Sequence, residues 1–93
     1  MAIFGDDFDW NEVNIGHVSR HGVEPWEVEE GVRDPERIGV SARKTLAERR
    51  FAVVGATESG RVLFVVFTRR GEIVRVITAR DADDGEKRRY RRR

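Results

Sequence analysis

Apolar and polar positions change their rhythm twice along this chain. Between residues 11 and 21, Val13, Ile15 and Val18 are spaced more like a helix than a strand, with Gly16 weakening the pattern and Gly22 following as a left-handed stop. A second, short amphipathic helix is better marked. Glu24-Pro25 puts proline at a first helical position, Trp26, Val28, Glu29 and Val32 follow, and Asp34-Pro35 ends it. Beyond it the rhythm is that of strands, over residues 37–42, 50–57, 62–68 and 72–80, separated by turn signals. Glu58-Ser59-Gly60 and Arg69-Arg70-Gly71 are connections of hairpin length, so the last three strands are expected to form an antiparallel meander. The near-continuous apolar runs 51–54 and 62–67 imply central strands covered on at least one face by the helices. Strict alternation in the last strand sets Ile73, Arg75, Ile77 and Ala79 against Val74, Val76, Thr78 and Arg80. Either Arg75 or Arg80 is then expected to approach the covered face. Phe4, Phe8 and Trp10 predict a short extended segment packed on the core. From Asp83 onward, Glu86, Lys87, Arg88 and Arg89 predict a closing basic helix with Asp83 or Asp84 as its cap.

The chain has 93 residues and no cysteine, which predicts one domain spanning 1–93 and excludes disulfides and cysteine-held metals as its staple. At this length roughly 60–65% of the unfolded surface is buried, so a partner's contribution to stability is expected. The longest apolar run, 62–67, is far below the roughly 20 residues of a membrane span. The first residues also lack the basic region and apolar core of a secretory signal, so a cytoplasmic protein with no membrane partner is expected.

The net charge of +1 conceals a strong polarity. Residues 1–35 carry nine acids and two bases, a charge of −7, and the remainder carries 16 bases and eight acids, a charge of +8. One half is thereby suited to a polyanion and the other to a basic partner, or else to a plainly solvated helical face. Sixteen of the 18 bases are arginine, which fits either genomic base composition or selection for a bidentate phosphate grip.

Candidate chemistry is sparse. The two histidines, His17 and His21, lie four apart and share a face if the first helix extends that far. A zinc site would need a third and usually a fourth ligand, and no His-Glu-x-x-His is present, so no metal site and no cofactor are assigned. A capping role for His21, acid–base chemistry and RNA binding remain open. Phosphate loops, dinucleotide fingerprints and Gly-x-Ser-x-Gly elbows are absent from the sequence. What remains is arginine at strand edges, namely Arg49, Arg50, Arg69, Arg70, Arg75 and Arg80. Arginines gathered on a sheet face suit single-stranded RNA better than duplex DNA. Metal-free RNA cleavage needs a base for the 2′-hydroxyl proton, an acid for the leaving 5′-oxygen and cations for the charge on phosphorus. Arg80 suits the last role, His17 or His21 the first two, and Tyr90 could stack on a base.

The ordered set Phe8-Asp9-Trp10-Asn11, Arg20-His21-Gly22-Val23, Asp34-Pro35, Gly55-x-Thr57-x-x-Gly60-Arg61, Arg75-Val76-Ile77-Thr78-Ala79-Arg80-Asp81 and Glu86-Lys87-Arg88-Arg89-Tyr90 resembles the BrnT family of toxins, over nearly the whole chain. The resemblance implies an α+β, RelE-like fold with N-terminal helices packed on a four-stranded antiparallel sheet and a closing basic helix. It also implies a ribonuclease toxin of a type II toxin–antitoxin module, held inactive by a ribbon-helix-helix antitoxin, BrnA. DNA would be met only indirectly, through the repressing complex. Arg80 matches a family arginine associated with toxicity, and His21 matches the histidine of a Lys-His-Gly motif. Arg49, Arg50, Arg75 and Tyr90 are carried as RNA-binding neighbours on the strand reading. The chain departs from the commonest pattern at Asn11, Asn14, His17 and Arg20. The competing expectations are a non-catalytic RNA-binding or regulatory module that kept the fold, and an interaction protein whose acidic half docks a basic partner.

Overall fold

A computed structural model describes residues 7–40 and 50–93, so Phe4, Arg49 and the last two positions of the strand expected over 37–42 lie outside the described residues. Along the chain come β1 (Asp7–Phe8), α1 (Glu12–Ser19), α2 (Pro25–Arg33), β2 (Ile38–Val40), β3 (Phe51–Ala56), β4 (Val62–Arg70), β5 (Ile73–Asp81) and α3 (Asp84–Arg91). They build an α+β fold on one sheet of order β1-β5-β4-β3-β2. β3 to β5 form the expected antiparallel meander, and β2 extends it to the four antiparallel strands that the resemblance implies. The extended N-terminal segment adds a fifth strand, parallel to β5, with Asp7 opposite Ile73 and Phe8 opposite Val74. The sheet is therefore mixed, because a segment arriving from outside the meander is free to pair in either direction with its exposed edge.

Local chemistry sets the helix ends. The Asn11 side chain accepts the amides of Val13 and Asn14 at 2.9 and 3.0 Å, and Asn14 Oδ1 returns the bond to the Asn11 amide at 2.8 Å. At the other end Gly22 takes φ +69°, a left-handed conformation suited to glycine. Its amide donates to Ser19 O and that of Val23 to Val18 O, at 2.9 and 3.1 Å, which turns Val18 and Val23 together into the core. α1 thus stops at Ser19, short of the predicted end, and His21 sits in the turn rather than on the helix.

Val18, Val23, Val28 and Val32 of the helical half pack on Val53, Leu63, Val65, Phe67, Val74, Val76 and Ala79 of the sheet. α2 comes especially close to β3 where Gly31 faces Gly55: a methyl group on Gly55 would overlap the Gly31 carbonyl oxygen and stand 3.0 Å from its carbon. The following Gly-x-Thr-x-x-Gly-Arg motif is structural. Thr57 closes the hairpin to Arg61 through its amide and its hydroxyl, at 2.8 and 3.0 Å. Arg61 then ties three elements, donating to Asp81 at 2.7 Å and to Glu27 and the Gly22 carbonyl at 3.0 Å.

One irregularity changes the parity of β5. Thr78 pairs with Val66 but Val76 pairs with Phe67, so Ile77 is an extra, bulged residue. Val74, Val76 and Ala79 all face the core across it. The expectation that one of Arg75 and Arg80 must share the core-facing side of β5 is corrected: Ile77 restores their parity, so both lie on the side opposite Val74, Val76 and Ala79. Arg80 instead pairs with Phe64 on the opposite face, where α3 arrives.

Candidate functional site

The bulge also organises the candidate chemistry. Asn14, only 4% exposed, donates from Nδ2 to the carbonyls of Asp9 at 2.8 Å and Val76 at 3.2 Å, pinning α1 to the edge of β5. One helical turn on, His17 Nδ1 meets the carbonyl of the bulged Ile77 at 3.1 Å. A carbonyl only accepts, so the neutral ring must carry its proton on Nδ1, and Nε2 keeps a lone pair. His17 shares a cleft of about 220 Å³ with Arg75, walled by Val13, Asn14, Val76 and Ile77. Arg75 donates to Asp9 from Nε and Nη2 at 3.0 and 2.9 Å, with both side chains more than a third exposed. An exposed pair of this kind contributes roughly 0–1 kcal/mol, so a phosphate can compete for the guanidinium.

Arg80 lies three residues beyond Ile77, roughly 10 Å along the strand. Its Nη1 and Nη2 donate to the two carboxylate oxygens of Glu86 at 2.8 and 3.0 Å, and its guanidinium stands 4.2 Å above the Phe64 ring. The Glu86 bond chiefly holds the Arg80 pKa above its ordinary value. Arg50 precedes β3 and is half-buried. Its Nε is buried with no hydrogen-bond partner among the described residues. Continuing the Phe51–Phe67 ladder by one residue sets Arg50 opposite Thr68, the partner of Arg75. His21 is exposed in its turn, and among the described residues no hydrogen bond joins its side chain to His17 or Arg80.

Tyr90 is an anchor in this structure. Its hydroxyl donates to Asp34, which also accepts the amides of Ala56 and Glu36 at 2.8 and 2.9 Å. Arg93 covers one face of the Tyr90 ring at 4.2 Å, where a stacked base would lie. Burial and the Asp34 carboxylate push the Tyr90 pKa up to about 12. Burial alone would raise Asp34, but the Tyr90 hydroxyl, the two amides and the Arg93 charge outweigh it, so its carboxyl falls below the ordinary value. The stabilisation from Tyr90 is therefore complete below pH 10 and lost as pH climbs through about 12, whereas that from Asp34 is lost only as pH falls through its lowered value. Tyr90→Phe is expected to cost about 1.5–3 kcal/mol at neutral pH and to flatten the alkaline loss, read by thermal unfolding across pH 7–12.

A larger cleft of about 450 Å³, between Glu30, Asp34, Glu58 and Tyr90, holds three carboxylates and neither histidine. Arg33 also lines it, against those three carboxylates. Among the described residues no three His, Asp or Glu side chains gather as metal ligands, and no helix is long and apolar enough to cross a membrane. Sequence reasoning missed Asn14, the Ile77 bulge and the Glu86–Arg80 pair. The capping spacing Asn11-x-x-Asn14 is the one signal that could have drawn attention to Asn14.

A family model described as "Ribonuclease toxin, BrnT, of type II toxin-antitoxin system" matches residues 10–86. No curated protein matches the chain.

Proposed function

The chain belongs to the BrnT family of ribonuclease toxins of type II toxin–antitoxin systems, and on that premise we propose that it cleaves single-stranded RNA without a metal ion, in the cleft shared by His17 and Arg75. The observation that carries this reading is the tie from His17 Nδ1 to Ile77 O, which leaves Nε2 as a base beside an arginine that phosphate can recruit. In this scheme Nε2 takes the 2′-hydroxyl proton, the 2′-oxygen bonds to phosphorus, and the bond from phosphorus to the 5′-oxygen breaks. His21, exposed in the turn that follows α1, is the proposed donor of the proton that the leaving oxygen takes. Arg75 stabilises the charge that develops on phosphorus, while Arg80 and Arg50 hold neighbouring phosphates. Products would carry a 2′,3′-cyclic phosphate and a 5′-hydroxyl.

A type II toxin has a cognate antitoxin. The proposed partner is a ribbon-helix-helix, BrnA-like protein, with DNA reached only through that complex. A labelled RNA incubated with the purified protein and excess chelator tests the reading. Cyclic-phosphate products that persist under chelation and vanish when the antitoxin is added are expected. RNA that is bound but left whole would point to a non-catalytic binding module, and cleavage that stops with chelation would overturn metal independence.

Arg80 carries a separate prediction. Glu86 occupies both of its terminal nitrogens, so a phosphate must displace that carboxylate. Glu86→Gln keeps an oxygen for the Asp83 amide of the α3 capping box but loses the charge that competes with phosphate. The substitution is expected to tighten RNA binding several-fold, and Arg80→Ala should abolish that gain. Unchanged affinity in Glu86→Gln would restrict Arg80 to holding α3.

A further inference from the structure

α3 is attached by polar contacts and has no buried residue. Its inward row is Glu86 on Arg80 and Tyr90 on Asp34, and beyond the helix Arg93 pairs with Glu36 at 2.7 Å. Arg88, Arg89, Arg91 and Arg92 remain, all exposed and none in an ion pair among the described residues. Pairs 88/91, 88/92 and 89/92 stand at the three- and four-residue spacings that bring helical side chains together, so the like charges repel. The C-terminal end of the helix dipole offsets part of that repulsion. An external polyanion would neutralise all four at once.

We propose that Arg88, Arg89, Arg91 and Arg92 form a docking stripe for the sugar-phosphate backbone of the RNA substrate, outside the reacting phosphate; this rests on the ribonuclease reading. The same helix is held to the sheet through Glu86 on Arg80, so the stripe is carried on the outer side of an element anchored at that arginine. Guanidinium groups bind non-bridging phosphate oxygens through paired N–H donors and do not require a particular base, so the stripe would add affinity and length dependence without sequence preference.

The test is the variant with all four arginines changed to glutamine, which has nearly the helix propensity of arginine and so leaves α3 intact by circular dichroism. Binding is read by fluorescence anisotropy with a 2′-O-methylated single-stranded RNA, which cannot be cleaved because its 2′-oxygens are blocked. Each phosphate of a single strand that a cation neutralises adds about 0.7 to the slope of log affinity against log salt, so the variant should show a slope shallower by about 3. With cleavable long RNA, KM is expected to rise at least tenfold while kcat at saturation stays within about twofold, the division that separates binding ahead of the reaction from chemistry. An unchanged slope and KM would overturn the proposal, as would a slope change confined to duplex DNA of matched length. If the natural protein cleaves no RNA and the slope with the methylated strand still falls, the stripe stands and the ribonuclease reading fails.

Discussion

Replacing His17 by asparagine is expected to lower kcat for RNA cleavage by roughly 10²–10⁴-fold, the range supplied by a positioned general base. Asparagine is chosen because its Nδ2 amide can still donate to the Ile77 carbonyl that now receives His17 Nδ1. The tie between α1 and the β5 bulge then survives, while the lone pair offered to the 2′-hydroxyl is gone. Thermal unfolding should be nearly unchanged, since the buried Asn14 keeps its own bonds to Asp9 and Val76. Single-turnover cleavage and a melting curve on the same preparation check both halves. Activity within about threefold of the natural protein would remove His17 from the chemistry and leave His21 as the only histidine candidate. Arg75→Ala provides the companion measurement: it should depress kcat while leaving fold stability almost untouched, because its Asp9 partner is solvent-exposed.

The largest stability effect is expected at Gly55, where alanine should cost about 3 kcal/mol or more. Overpacking is usually relieved by a side chain swinging aside. At Gly55 the colliding atoms are the carbonyl oxygen and carbon of Gly31, so α2 and β3 have to separate. Separation would loosen Val28 and Val32 from Leu63 and Val65, apolar contacts in the centre of the core. Gly31→Ala is the control. Its methyl group would stand 3.4 Å from the Gly55 oxygen, a tight but tolerable approach, and alanine favours the helix interior by about 1 kcal/mol over glycine. Urea unfolding of the two variants should therefore separate them by several kcal/mol. Equal midpoints would show that the interface between α2 and β3 yields more readily than its backbone contact implies.

Much of the fold was legible because its signals are local. Pro25 at the start of α2, Gly22 after α1 and Asp83 before α3 each act through their own backbone neighbourhood. The hairpins likewise followed from short turn sequences, and the family resemblance found in the ordered motifs agrees with the match over residues 10–86. The site was less legible. His17 and His21 stand four apart in sequence, but the Gly22 turn ends α1 at Ser19 and takes His21 off the helix. Arg75 and Arg80 have opposite parity in a regular strand, and one extra residue at Ile77 cancels that difference.

The sequence by itself determined the helices, the meander, the charge division and the supply of arginine, because propensity, periodicity and turn chemistry act over a few residues. Only the tertiary structure decided which arginines share a face, that Glu86 occupies Arg80, and that Tyr90 is held by Asp34 and Arg93. It also decided that Asn14 and His17 close on the carbonyls of β5, some 60 residues away. The physical reason is register. A strand turns over its faces with every residue, so a single bulge, set by how β4 and β5 pack and invisible in either strand alone, re-aims the side chains beyond it.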